Sequence, residues 1–283
     1  MWTIRKPELN ARDTFDICIE GISVAATKLR LEGIRDLVEN AEQAFDQRAT
    51  VTELHLIGEE NEIAGANGSV SAKEMEQLYD RHMARQKSRG RDTYDKIMMA
   101  AEHGQCPFCG HLPVSTLDHS LPKARHPALA VTPFNLIPCC KDCNHNKGTL
   151  GPNSLETQFL HAYYDDVTQD RWLYAEIVEG GPPGATFFVE APAHWSAETA
   201  TRVQRQFTTL KLGRLYASQA GRQLQNIKRS LRKIYDAAGS DAVREDLENR
   251  SESCADVSVN SWEGALYEAA SQSDWYCDEG FGE

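Results

Sequence analysis

Apolar residues recur at helical spacing along the first hundred positions. Ile17, Ile19, Ile22, Ala25 and Leu29 predict one helix from about Thr14, with Gly21 as its weak point. Ile34, Leu37, Val38, Ala41 and Phe45 predict a second. Residues 1–13 read as irregular. Leu54, Leu56 and Ile57 form a short apolar stretch, and residues 59–69 (EENEIAGANGS) have loop composition. Ser71 followed by Glu74 is a capping-box pattern and starts a helix that should run to about Lys87. Gly90 breaks the pattern, after which Tyr94, Ile97, Met98 and Ala101 mark another short helix.

The period then shortens. Leu112–Ser120 and Asn135–Cys139 have the short apolar content of strands, and KDCNHNKG should begin a short helix, which makes a β-loop-β-helix unit. Beyond Gly151-Pro152, TQFLHAYYDD reads as a loop or short helix rich in aromatics. Residues 172–178 and 185–189 read as a hairpin joined through EGGPPG. A helix should follow Ser196, carrying Val203 and Phe207. Leu210, Leu212, Leu215, Tyr216, Leu224, Ile227, Leu231 and Ile234 line a long amphipathic helix or a pair of helices. Residues 241–250 should be helical, 251–261 a loop, 262–270 a short helix, and 273–283 a tail. The expected class is α+β and mainly helical. Its regions are a helical 1–90, a central 91–152, and a hairpin plus helices over 153–283. No repeat or low-complexity tract occurs.

At 283 residues, 41% hydrophobic and 25% charged, the chain can bury a core without staples. It has no run of 18 apolar residues, so no membrane span is expected, and its first residues lack an apolar leader segment. A cytoplasmic location is the expectation. The net charge of −12 would normally argue against nucleic acid, but the charges are segregated. Residues 81–150 hold ten bases and five acids. Residues 201–235 hold nine bases and no acid, and residues 236–283 hold two bases and thirteen acids.

The chemistry concentrates between Cys106 and Gly148. Two Cys-x-x-C pairs, Cys106/Cys109 and Cys140/Cys143, offer four thiolates suited to tetrahedral zinc. With four protein ligands such an ion has no open position and is structural. A unit of about 45 residues has too small a core to fold unaided, and structural zinc contributes on the order of 10 kcal/mol. Cys139 stands one residue outside its pair and reads as a small buried apolar residue, as does the isolated Cys18. Enclosed by the pairs are Asp118, an oxygen ligand for Mg²⁺ or Mn²⁺, and His119, whose pKa suits a general base. Asn144 follows a zinc ligand and offers a carbonyl oxygen.

This block resembles the HNH nucleases, whose core is the ββα-metal (His-Me) finger. The matching residues are Asp118-His119, the Pro of LPKARHP, Asn135 in NLIPC, and Cys140–Gly148 with its C-x-x-C-N-x-x-K-G spacing. The resemblance implies a central zinc-stabilised finger. In it His119 activates water, Asp118 and Asn144 bind a catalytic divalent ion, and Asn135 orients the base and stiffens the loop. It makes this an H-N-N variant. His145 is the rival third residue, but one step along a helix turns it about 100° away. Lys123, Arg125, Lys141 and Lys147 are candidate nucleic-acid contacts, with a helix-surface role open for Lys147. The implied activity is hydrolysis of DNA phosphodiesters, with double-stranded DNA as substrate. A fainter resemblance, through HAYYDD, DRWLYAEI and the C-terminal tail, is to the nuclease subunits of Septu-type anti-phage defence systems, which work beside an ATPase. No GxxxxGK[ST] motif occurs, so nucleotide dependence would come from that partner. The alternatives are a catalytically silent zinc-stabilised nucleic-acid-binding module and an RNA- or tRNA-directed HNH nuclease.

Overall fold

The structure, a computed structural model, describes residues 2–282. It divides into two compact units, Met1–Asp166 and Val167–Glu283. The expected regions 1–90 and 91–152 both lie within the first. The architecture is α+β and mainly helical, and its strands form three two-stranded antiparallel hairpins. No helix among the described residues is long and apolar enough to cross a membrane.

In the first unit the helix expected from Thr14 is two helices. α1 (Ala11–Glu20) is N-capped by Asn10, whose side chain accepts from the Asp13 N–H at 2.7 Å, and it stops at Gly21. α2 (Ala25–Glu32) begins after a short break. The apolar periodicity carries across this break, so sequence spacing alone hides it. A Cβ on Gly21 would stand 2.7 Å from His82 Nδ1, so close approach fixes a glycine there. α3 (Arg35–Thr50) follows the expected pattern. The stretch expected as pure loop contains a minimal ladder, β1 (Glu62–Ile63) with β2 (Val70–Ser71).

α4 (Ala72–Leu78) starts with the expected capping box: the Glu74 N–H donates to Ser71 Oγ at 3.3 Å, and the Ser71 N–H donates to Glu74 Oε2 at 3.0 Å. It does not continue regularly to Lys87. It passes into a π-helical turn, Tyr79–Ala84, and ends at Arg85. α5 (Arg91–Met98) starts after Gly90, where a Cβ would lie 2.8 Å from both Cys18 Sγ and the His82 carbonyl. Phe15, Ile34, Val38, Met75 and Ile97 from these helices share one core with Leu117, Val131 and Leu136 of the central block. The central block therefore does not depend on its own small interior for apolar burial.

That block is β3 (Thr116–His119) paired antiparallel with β4 (Leu136–Cys139), followed by α6 (Lys141–Lys147). The register sets Asp118 opposite Ile137 and His119 opposite Leu136. The aromatic segment after α6 braces it: the Tyr163 hydroxyl donates to the Leu136 carbonyl at 2.7 Å, and the Tyr164 hydroxyl to Asp46 at 2.6 Å.

The second unit holds the expected hairpin, β5 (Leu173–Val178) with β6 (Gly184–Val189), then α7 (Ala197–Thr209). α8 (Leu212–Ala255) is interrupted at Gly239 (φ 80°, ψ −169°), so it is two helices end to end, and the second runs into the segment expected as a loop. α9 (Trp262–Gln272) and α10 (Asp274–Cys277) complete the unit. Asn260 ties it together: its side chain accepts from the Trp172 N–H at 2.8 Å and donates to the Asp170 carbonyl at 2.8 Å.

Candidate metal centre and adjoining cleft

The four cysteines of the two pairs come together. All are buried, and their sulfurs lie within 4.8 Å of one another. A tetrahedral ion with Zn–S bonds of about 2.3 Å needs sulfurs about 3.8 Å apart, and Cys109 Sγ stands 4.0 Å from Cys140 Sγ. The Leu112 N–H points at Cys109 Sγ (3.4 Å) and the Cys143 N–H at Cys140 Sγ (3.3 Å). Cys140 is also the N-cap of α6, where the helix end favours a thiolate. Hydrogen bonds from the Cys106 thiol hold Cys109 and Cys140 low, whereas burial pushes Cys106 up and the crowded thiols push Cys143 up. A divalent cation would take all four as thiolates. The cluster could hold a zinc ion, and no described cysteine forms a disulfide. Cys139 is buried on β4 beside the cluster rather than in it.

The strand leaving this cluster carries Asp118 and His119 to one wall of a cleft of about 410 Å³, which Asn144 also lines. His119 Nε2 donates to the Ala130 carbonyl at 2.8 Å, which leaves the imidazole lone pair on Nδ1. Burial, with the nearby positive charge of Lys123, lowers its pKa to about 3, so the ring is neutral at ordinary pH. Tyr79, from the π-helical turn, packs edge-on against this ring with centroids 4.5 Å apart. Lys123 Nζ lies 4.4 Å over the Tyr79 ring and pairs with Asp80 at 2.6 Å.

Asp118 is buried, and burial raises its pKa against the pull of Lys147. Lys147 departs from the sequence expectation. It faces inward and is 2% exposed, so it is neither a surface cation nor placed to meet a phosphate. Its ammonium donates to Asp118 Oδ1 (3.2 Å) and to the His119 carbonyl (2.6 Å), and stands 2.9 Å from Oδ2. That last contact is electrostatic, and no hydrogen bond is directed at Oδ2. The i+6 step from Lys141 turns Lys147 to the strand side of α6, which spacing from the cysteines alone does not reveal.

Asn135 is fully buried and does not line the cleft. Its Oδ1 accepts from the Leu121 N–H (2.7 Å), and its Nδ2 donates to the Leu121 and Leu129 carbonyls (3.0 and 3.1 Å). It therefore pins the loop between the strands. Its effect on His119 is indirect, through Ala130, the next residue after Leu129. Asn144 donates from Nδ2 to Thr116 Oγ1 and the Leu117 carbonyl, each at 3.3 Å. His145 is exposed and also reaches the cleft rim, so the helical step does not remove it altogether. Arg125 pairs with Glu59 at 2.8 Å, and Lys141 is exposed. Tyr79 and the Ala130 carbonyl were not marked by any motif: one comes from a remote helix, the other is backbone.

Over 164 residues the chain is 34% identical to Protein ea31 of Escherichia phage lambda. The match takes in 56% of this chain and 55% of that protein, so the chain spans about half the length of the relative it matches. No protein-family model matches the chain. No solved structure matches it either.

Proposed function

We propose that this chain is a metal-dependent HNH endonuclease that hydrolyses DNA phosphodiesters. The observation that carries the reading is the meeting of Asp118, His119 and Asn144 in one cleft, on a β-β-α unit whose helix begins at a buried four-cysteine cluster. In this reading a structural zinc ion fixes the start of α6 and hence Asn144. Mg²⁺ or Mn²⁺ held by Asp118 and Asn144 would supply charge stabilisation to the phosphate and the leaving 3′ oxygen. Asp118 Oδ2 accepts no directed hydrogen bond and the amide of Asn144 spends its N–H group on β3, but an ion there would have to share or displace the Lys147 ammonium, 2.9 Å from Oδ2. His119 takes a proton from the attacking water on Nδ1, while the Ala130 carbonyl holds Nε2–H and fixes the tautomer. Burial keeps the ring neutral, so Nδ1 has its lone pair, but the same burial weakens the ring as a base, and the negative charge of a bound phosphate would have to raise its pKa for the step. Of the candidate nucleic-acid contacts only Lys123 lines the cleft, paired with Asp80, while Arg125 is paired with Glu59 and Lys141 is exposed on α6. A role as a cytoplasmic effector of anti-phage defence beside an ATPase belongs to the same proposal.

The test is incubation of plasmid DNA with purified protein in Mg²⁺, Mn²⁺ or EDTA, with and without the product of the neighbouring gene. His119→Ala is expected to lose about 10²–10⁴-fold in cleavage while still binding DNA. If wild type and His119→Ala behave alike in every condition, the catalytic reading fails. One observation favours a second reading, a silent zinc-stabilised nucleic-acid module: the charge of Asp118 is already met by Lys147. That reading predicts metal-independent binding and no cleavage. Cleavage confined to RNA or tRNA in the same assay would redirect the substrate.

A further inference from the structure

The second unit carries a charged surface that the cleft does not use. The first segment of α8 is amphipathic, and Tyr216, Ala220, Leu224, Ile227 and Leu231 are buried along one side. At 100° per residue, Arg214, Arg222, Arg229 and Lys233 fall within about 100° of arc on the opposite side. All four are exposed, and Ser218, Gln225 and Asn226 fill the face between them. The row runs about 28 Å at 1.5 Å per residue. No acid occurs from 201 to 235.

Three neighbouring cations of the unit are engaged within it. Lys228 donates to the Gly282 carbonyl (2.5 Å), Arg232 pairs with Glu279 (2.7 Å), and Arg244 with Asp274 (2.7 Å). The four on the outer face make no ion pair among the described residues. Exposed Asp236, one turn past Lys233 in the same arc, ends the row, and the cations ahead of it share their face with no acid and attract a polyanion. The apolar side of the helix is already buried in its own unit, which removes the usual way an amphipathic helix enters a membrane surface. The face holds no aromatic side chain, so it lacks the stacking platforms with which proteins hold single strands.

We propose that this face is a docking rail for the phosphate backbone of double-stranded DNA, separate from the cleft and independent of sequence. From the proposed function it takes only the substrate class. A rail of this length spans about eight base pairs at 3.4 Å each.

The experiment titrates a labelled 30-base-pair DNA duplex with the full zinc-loaded chain, with no Mg²⁺ or Mn²⁺ added so that nothing is cleaved, across a series of salt concentrations. Arg214→Gln/Arg222→Gln/Arg229→Gln/Lys233→Gln is expected to weaken binding at least tenfold and to reduce the slope of log K against log salt by about 3 to 4. The corresponding variant with Lys at all four positions should bind nearly as wild type does, and an unchanged melting temperature shows that each variant folds. Loss in the Gln variant with rescue in the Lys variant supports the rail even if no duplex is ever cut, which would fail the nuclease reading alone. An unchanged affinity and slope in the Gln variant overturns the rail, whatever the cleavage result. Two further outcomes overturn it: selective binding of duplex RNA, and salt-sensitive self-association through these residues without DNA binding, the latter pointing to the acidic segment of a second copy.

Discussion

Asp118 and Lys147 form a buried pair in which each charge depends on the other. Removing one partner leaves an uncompensated charge, which costs about 3–5 kcal/mol. Lys147→Met should therefore destabilise the metal-free protein by that order, while Asp118→Asn/Lys147→Met should cost less than the two single changes together. Urea denaturation of the four proteins gives the cycle, and additive costs would show that the pair does not interact. Asn135→Ala strands the Leu121 N–H and carbonyl in the interior, at about 1–3 kcal/mol for each unsatisfied group, and takes one of two donors from the Leu129 carbonyl, which keeps the Thr132 N–H. It should lower both stability and cleavage, because the loop that presents the Ala130 carbonyl is released. His119 has a folded pKa below its unfolded value of about 6.5, so the fold favours the neutral ring. Its contribution to stability is complete above about pH 6.5 and is lost as pH falls towards 3. Thermal melts over that window should fall less steeply for His119→Gln than for wild type. Under the proposed nuclease reading, Tyr79→Phe keeps the ring contact and should leave cleavage close to the wild-type rate, whereas Tyr79→Ala should slow cleavage more than it weakens binding. Equal losses in kcat and binding would argue against a positioning role for Tyr79.

Elements succeed here by their ends. α6 starts on a cysteine and finishes on a lysine, so one short helix joins the thiolate cluster to the buried carboxylate. Cys140→Ser/Cys143→Ser or a strong chelator should loosen α6, and zinc content with circular dichroism would follow it. A fully folded double variant with no bound zinc would remove the structural role of the cluster. The start of α4 was readable because Ser71 and Glu74 stand in capping-box spacing. The π-helical turn that follows was not readable, since a π turn differs from an α turn by one extra residue whose cost is met by tertiary packing. The break at Gly90 was readable, and Gly21 was readable as a weak point, but not that α1 ends there. Gly90→Ala would drive a Cβ into Cys18 Sγ and the His82 carbonyl, and should destabilise the first unit by roughly 1–3 kcal/mol.

At the scale of the molecule, the two units divide chemistry from charge. Residues 1–166 hold the cysteine cluster and the cleft, and residues 167–282 hold the basic face of α8. The fragment 1–166 expressed alone should fold cooperatively and bind zinc, and should bind duplex DNA with a shallower salt slope than the full chain. An unfolded fragment in circular dichroism would show that the boundary after Asp166 does not mark an independent unit. The N-terminal helices prove to be structural for the cleft: they supply its Tyr79 wall and share their core with β3 and β4.

The sequence by itself determined the mainly helical α+β class, the four-cysteine cluster, the β-β-α order of the central block and the amphipathic face of α8. Each follows from spacing, and spacing is local: a 3.6-residue period, a two-residue gap between cysteines, a cap three residues before its partner. Only the tertiary structure decided that Lys147 turns inward to Asp118, that Asn135 is buried and bonded to the loop between the strands, and that Tyr79 walls the cleft. Those contacts join residues 28 to 40 positions apart or depend on a backbone carbonyl. Their energies come from burial and pairing, which no local pattern in the chain records.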